Sequence, residues 1–349
     1  MSNILMNTSN MQCRAGLARG LVLATALAWA GHVGAANDKP VVPLVQQKAT
    51  EAFWVGDFAA LEKMNAAYQQ PGPLEANARN RLDYFRTGVG KVFSYVAHSS
   101  EAYLSELDAL TLQWARDNPQ SAYAHILHAR SLLAHAQSYR GTSYVKDVPP
   151  EAWAYYRRYV DQALAYLKQH IDLVSTDSSG HLLLLEIGRS LSWGQAQIEA
   201  IAEAGIARNP DDIELYFMVS FGLLPKWGGN QKVLDTYIRK VTAATSAKFG
   251  TGMYARLYAD AMDNQFGAAL FESSYADWDK MKQGYEDMLA RYPDGSARRN
   301  SYAYVACIAK DKPTLQRLLG EIGAGFVANS WGVNPQRAFE TCTKWAQQT

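Results

Sequence analysis

The chain has 349 residues, 48% hydrophobic and 19% charged, with 34 Lys and Arg against 33 Asp and Glu. That is enough apolar chain for a sizeable core and excludes an intrinsically disordered protein. The near-neutral balance, with no basic run or stripe, excludes a nucleic-acid surface of the usual electrostatic kind.

Residues 1–35 stand apart from the rest. Arg14 and Arg19 precede GLVLATALAWAGHVGA, whose apolar run of roughly a dozen residues has the length of a secretory h-region and is too short to span a bilayer. Val33 and Ala35 supply a small-residue cleavage pattern, which predicts a signal peptide over 1–35 and a mature chain from about Ala36 in the periplasm or outside the cell. The polar leader is long, so Met6 and Met11 are alternative starts, and Cys13 precedes the run, against a lipid anchor. Cleavage leaves 32 basic residues against 33 acidic ones. No later segment reaches ~18 uninterrupted apolar residues, so no membrane span is expected in the mature chain.

Residues 36–349 read as a single all-α domain, with no β-alternation bounded by hairpin turns. FWVGDFAALEKMNAAY places a Gly-Asp-aromatic turn between two helices. TLQWARDNPQSAYAHILHARSLLA breaks at Pro119 and resumes as a helix, and the same helix-proline-helix form returns at Pro210 and Pro293. EAWAYYRRYVDQALAYLKQHIDLV, entered through Pro149 and Pro150, predicts one long amphipathic helix carrying Trp153, Tyr156, Val160, Ala163, Leu164, Leu167, Ile171 and Val174 on its apolar side. The form resembles tetratricopeptide hairpins stacked into an α-solenoid, but the proline spacings of 91 and 83 residues are not multiples of the usual ~34-residue period. The array is therefore degenerate, with extra helices between units.

No metalloprotease, nucleophile-elbow, phosphate-loop, dinucleotide or CxxC signature is present, and no cofactor is expected. His125, His128 and His135 fall within about 80° on one helical face. His125 and His128 are close enough to share a cation, whereas His135 lies roughly 10 Å further along the axis. With no third ligand evident, they read equally as polar residues bordering an apolar stripe. In YRGTSYVKDVPP, Arg140 and Tyr144 are candidates to hold a carboxylate or glycan hydroxyls. Alternatively Gly141 ends a helix and Arg140 caps its carbonyls. Glu186 lies in the leucine-rich HLLLLEIGRSLSW, where burial would raise its pKa toward the general-acid range, but Arg189 one turn away offers a structural ion pair.

FGLLPKWGGN reads as a hairpin turn. Pro225 stops a helix apolar on nearly every side, Gly228 and Gly229 permit an unusual backbone, and Asn230 caps the next helix. Trp227 is either a buried wedge between the two helices or an exposed recognition platform beside Lys226, and burial of so large a ring favours the wedge. Cys307 and Cys342, the two cysteines left after cleavage, are a candidate disulfide or two buried thiols.

YRGTSY, LLPKWGG, RYPDGSARRNSYAYVACIAKDK and FETCTKWA resemble an uncharacterised bacterial family, domain of unknown function 4034, from about residue 102 to the C-terminus. The resemblance implies a helical, tetratricopeptide-like architecture and marks Arg140, Gly141, Trp227, Gly228 and Gly229 as motif positions. It implies no activity, and Lys226 stands where the family is expected to favour arginine, which weakens a bidentate anion contact there. The expected function is a scaffold binding a peptide, protein or envelope ligand on the inner curve of the array. The alternatives are an enzyme processing envelope glycan or peptide with Glu186 and Arg140, and a periplasmic neutraliser of a secreted toxin.

Overall fold

The computed structural model describes residues 44–70, 80–93, 100–141, 145–293 and 295–348. The leader and Tyr144 lie outside the described residues. All regular structure among those described is helical, with no strand. It opens with α1 (Leu44–Trp54), α2 (Phe58–Gln69) and α3 (Arg81–Gly90). There follow α4 (Glu101–Asp117), α5 (Ala122–Arg140), α6 (Pro150–Gln169), the one-turn α7 (Ile171–Val174), α8 (Ser178–Ser190), α9 (Gln195–Arg208), α10 (Ile213–Gly222) and α11 (Gln231–Ala244). The C-terminal part holds the one-turn α12 (Ser246–Phe249), α13 (Gly252–Ala261), the one-turn α14 (Leu270–Ser273), α15 (Trp278–Arg291), α16 (Ser296–Ile308), α17 (Lys312–Ile322) and α18 (Pro335–Gln347).

Two turn geometries recur, each with a local cause. At the three helix-proline-helix sites the residue before proline cannot stay helical, because the pyrrolidine ring crowds it. Asn118, Asn209 and Tyr292 accordingly share one conformation, with φ −129°, −132° and −137° and ψ 65°, 67° and 71°. Their carbonyls then accept from the amides of Ser121, Asp212 and Gly295 at 2.9, 3.0 and 3.3 Å, which turns the chain into α5, α10 and α16. The second geometry is a left-handed residue after a helix, found at Gly56, Ser192 and Lys310 with φ of 68°, 56° and 61°. The next amide in each case (Asp57, Trp193, Asp311) reaches back to the carbonyl five residues earlier, at 2.9, 2.8 and 3.0 Å, and so satisfies an otherwise orphaned group.

These turns let α5, α8, α10 and α13 pack each on the next as one row, while α6, α9 and α11 pack against that row from outside. The N-terminal helices have their own core around Trp114, which stacks flat on Phe58 at 5.4 Å and donates its Nε1 proton to Glu62 at 2.8 Å. Burying that indole within an apolar shell while keeping its N–H bonded gives the cluster its anchor.

Two expectations are corrected. The long helix over 151–174 breaks at His170 (φ −112°, ψ 22°), whose ring stacks on His125 at 4.0 Å and so leaves the helical path; α7 resumes as a separate turn. Trp227 is not a wedge. It is 58% exposed, because Leu223 and Leu224 already fill the space between α10 and α11. The turn itself follows the expected logic. Pro225 opens a 3-10 turn over Pro225–Trp227, Gly228 takes φ 90°, and the Asn230 side chain accepts from the amide of Val233 at 3.0 Å. At Gly229 a Cβ would lie 1.9 Å from the Leu223 carbonyl oxygen, so only glycine fits.

The Cys307 and Cys342 sulfurs sit at bonding distance, 2.07 Å, and join α16 to α18. Closing a loop of 35 residues should stabilise the fold by about 3 to 4 kcal/mol through the unfolded state. Cys342→Ser should therefore show that loss in urea denaturation under non-reducing conditions, and added reductant should lower the wild type toward the variant while leaving the variant unchanged.

Candidate functional site

The inward stripe of α2 starts apolar, with Phe58 and Leu61, and then turns polar at Asn65, which is only 7% exposed. Gln69 lies one turn further on, and its amide donates to Asp177 Oδ2 at 3.0 Å. Asp177 caps α8, accepting from the Ser179 amide at 2.8 Å. Arg86 reaches across from α3, where its neighbours Phe85 and Val89 anchor the helix in the N-terminal core. Its Nη2 donates to both Asp177 oxygens at 2.7 Å, and its Nη1 donates to Ser178 Oγ at 3.0 Å and lies 3.8 Å from Asp212 Oδ2. The guanidinium also covers the Tyr123 ring, 5.6 Å from its centroid. The Asp177 side chain is 3% exposed, so the pair sits where an unmatched charge would be costly.

Arg86 and Tyr123 form the shared wall of two cavities. One, of about 440 Å³, is lined by Glu62, Asn65, Gln69, Ser121, Asp177 and Asn209 among others. The other, of about 330 Å³, runs along Asp83, Thr87, Ile126, Arg130, Leu182 and Glu214. Three residues that line the larger cavity each carry a buried polar atom with no hydrogen-bond partner: Asn65 Oδ1, Arg86 Nε and Asn209 Nδ2. Such atoms are rare in folded proteins and mark places where water or a ligand completes the bonding.

Along α8, Ser179, Leu182, Glu186 and Arg189 follow one another at three- and four-residue steps and so share a face. The expected Glu186–Arg189 pair gives way to a longer-range one: Arg130 Nη2 donates to Glu186 Oε1 at 2.9 Å. The Glu186 side chain is 27% exposed, not buried as its leucine-rich surroundings suggested, because those leucines divide between opposite faces of α8. Arg189 turns instead to α10, donating toward Met218 Sδ at 2.7 Å and lying 5.2 Å from the Phe221 ring centre. Lys226 is 4.9 Å from the same ring, and its ammonium donates to the Asn264 carbonyl.

The remaining candidates have local partners. α5 ends at Arg140, Gly141 takes φ 63°, and Arg140 Nη1 donates to the Gly141 carbonyl at 3.1 Å. His125 pairs with the Tyr166 hydroxyl at 2.8 Å and the Pro119 carbonyl at 3.2 Å, and His128 Nδ1 lies 3.1 Å from Thr111 Oγ1. His135 bonds Asp108 and Glu101. Among the described residues, no group of three or more His, Cys, Asp or Glu side chains is arranged to hold a metal ion.

Sequence reasoning missed Arg86, Asp177, Asn65 and Asn209. The one local signal was a polar Asn65 on an otherwise apolar α2 stripe. It also missed Asp260, just before the π-turn Met262–Phe266, where burial and the nearby Asp263 and Glu214 push its carboxyl up to about 6. Compared with protein-family models, curated proteins and solved structures, the chain matches none.

Two measurements probe the site's energetics. Arg86→Met should leave the Asp177 carboxylate buried and unmatched, costing about 3 to 5 kcal/mol in urea denaturation, and adding Asp177→Asn in the same chain should recover part of it. Burial pushes His128 down to about 4, partly opposed by Asp108. A histidine whose folded pKa lies below its unfolded one makes the unfolded chain bind more protons, so stability is lost as pH falls from about 6.5 to about 4. That loss, on the order of 3 kcal/mol for one group, should shrink in His128→Asn when denaturation midpoints are compared across pH.

Proposed function

We propose that this chain is an exported helical-repeat scaffold that binds a peptide or protein segment in the cleft around Arg86. The observation that carries the reading is the cleft itself: row helices α5, α8 and α10 face α2 and α3 across two adjacent cavities, the larger lined by residues with unpartnered buried polar atoms. A peptide chain offers donors and acceptors in alternation, which suits a lining with both kinds unpaired. The recurring proline and left-handed turns support a degenerate tetratricopeptide-like array, in keeping with the resemblance to domain of unknown function 4034. Export rests on the leader over 1–35. The enzyme reading gains nothing from the geometry of its two residues, since Glu186 is held by Arg130 and Arg140 by its own helix end.

A photo-crosslinking residue at Thr87, inside the cleft, should capture a discrete adduct from envelope extract, whereas one at the exposed Lys168 on α6 should not. N-terminal sequencing of the same material should begin near Ala36. Equal capture at both positions, or capture at Lys168 alone, would sink the cleft as the binding site.

A further inference from the structure

We infer that a second groove, on the face of α5 away from the Arg86 cleft, binds an uncharged peptide in the polyproline II conformation. α4 and α6 both pack on α5 and leave between them a cavity of about 550 Å³. His128 and Leu132 form its floor, and at about 100° per residue they lie on the opposite side of α5 from Ile126 and Arg130, which line the cleft. One wall is α6, where the pattern Tyr-x-x-Gln occurs twice, as Tyr159 with Gln162 and as Tyr166 with Gln169. A seven-residue step is close to two helical turns, so the two units share a face and repeat every ~10 Å at ~1.5 Å per residue. A polyproline II chain, with about three residues per turn and a rise of ~3.1 Å, presents equivalent groups every ~9 Å. Each turn of such a peptide meets one Tyr-x-x-Gln unit, whereas a β-strand repeats every ~7 Å and falls out of step.

Charge and hydrogen bonding select the same ligand. Among the described residues Asp108 is the one charged group lining the groove, and both its oxygens are taken, by Ser131 and His135 at 2.6 Å each. An ionic ligand therefore finds no free counter-charge. His128, on the floor, is 6% exposed. The Thr111 hydroxyl donates to the Leu107 carbonyl at 2.8 Å, so toward His128 Nδ1 it accepts. These bonds assign the ring proton to Nδ1 and leave Nε2 a bare acceptor. Burial keeps the ring neutral, and Nε2, unlike the sealed His181 Nδ1, stays open to the groove with no partner among the described residues. Gln162, Gln169 and the Tyr159 hydroxyl likewise have no partner among the described residues. A polyproline II main chain makes no internal hydrogen bonds, so its carbonyls are free for the glutamines and a non-proline N–H is free for His128. A sugar is a poorer match, because it would stack on a bare aromatic face. Tyr159 is stacked on His135 at 3.9 Å with Arg158 over the ring at 4.9 Å, and Tyr166 is packed among His125, His128 and His170.

The test titrates the purified, isotope-labelled full chain with four neutral probes and follows the His128 ring nitrogens and the glutamine side-chain amides by NMR. The probes are the capped heptapeptide Ala-Pro-Pro-Ala-Pro-Pro-Ala, the same peptide with N-methylalanine, a capped Gly-Ser heptapeptide and cellopentaose. The proline peptide should move the His128 Nε2 resonance in the direction of an accepted hydrogen bond and saturate, a signature that a merely structural histidine would not give. The flexible Gly-Ser peptide should bind at least about 10-fold more weakly, because it must be ordered on binding. N-methylalanine, which removes the N–H, should cost about 5-fold and leave Nε2 unshifted. Gln162→Ala and Gln169→Ala, both at exposed positions, should each weaken the proline peptide by about 5-fold. Capture at Thr87 reads the Arg86 cleft alone, so the two sites are tested separately. No saturable shift with the proline peptide overturns the site, and saturation by cellopentaose alone makes it a sugar groove and overturns the peptide. Equal binding of the Gly-Ser peptide overturns the polyproline conformation, and unchanged affinity in both glutamine variants overturns the match to the Tyr-x-x-Gln units.

Discussion

The Arg86–Asp177 pair joins two parts of the molecule that otherwise have separate cores. Arg86 belongs to the N-terminal cluster built on Trp114, and Asp177 caps α8, whose residues belong to the two clusters that follow. Two carboxylate oxygens at 2.7 Å, a serine hydroxyl and a glutamine amide converge on that contact. A buried pair of this kind need not add net stability over an apolar replacement, because desolvation offsets much of the attraction. What it does supply is a fixed contact: the guanidinium of α3 meets the cap of α8 between the two cavities, each of which it lines.

Much of the fold was legible because its punctuation is local. Pro119, Pro210 and Pro293 dictate the conformation of the residue before each, and the three turns agree within a few degrees of one another. The second turn type was only partly readable. Gly56 announces a left-handed residue, but Ser192 and Lys310 adopt the same geometry with side chains that ordinarily resist it, held there by packing and by the returning amide bond. His170 escaped for a similar reason. Nothing within its own helix breaks α6; the partner that draws its ring aside is His125, on another helix.

The site was far less legible, and the cause is sequence separation. Arg86 and Asp177 are 91 residues apart, and Arg130 and Glu186 are 56 apart, so no periodicity links either pair. Local reasoning offered Arg189 for Glu186 because it is one turn away. The structure shows how weakly such proximity binds: an exposed pair within one helix contributes only about 0.2–0.5 kcal/mol, and a partner on a facing helix, or an aromatic ring and a thioether for the arginine, competes easily. Trp227 was misjudged by the same narrowness. The apolar area of an indole favours burial, but Leu223 and Leu224 reach the inter-helical space first, and the ring is left outside with Phe221 and Lys226.

The helix ends set a further constraint on the cleft. Asp177 and Asp212 cap neighbouring row helices α8 and α10, whose N-termini carry partial positive charge. A cation such as Arg86 is disfavoured opposite two such ends unless the caps themselves are anionic, so neutral caps like Ser121 on α5 would not serve there. The two aspartates thus do double duty, closing their helices and holding Arg86, and little of their charge remains for anything else. Across the larger cavity α2 presents Glu62 and Asn65, and the start of α5, capped by the neutral Ser121, lines the same space. The two walls therefore differ in kind, with the capped starts of α5 and α8 on one side and the side chains of α2 on the other.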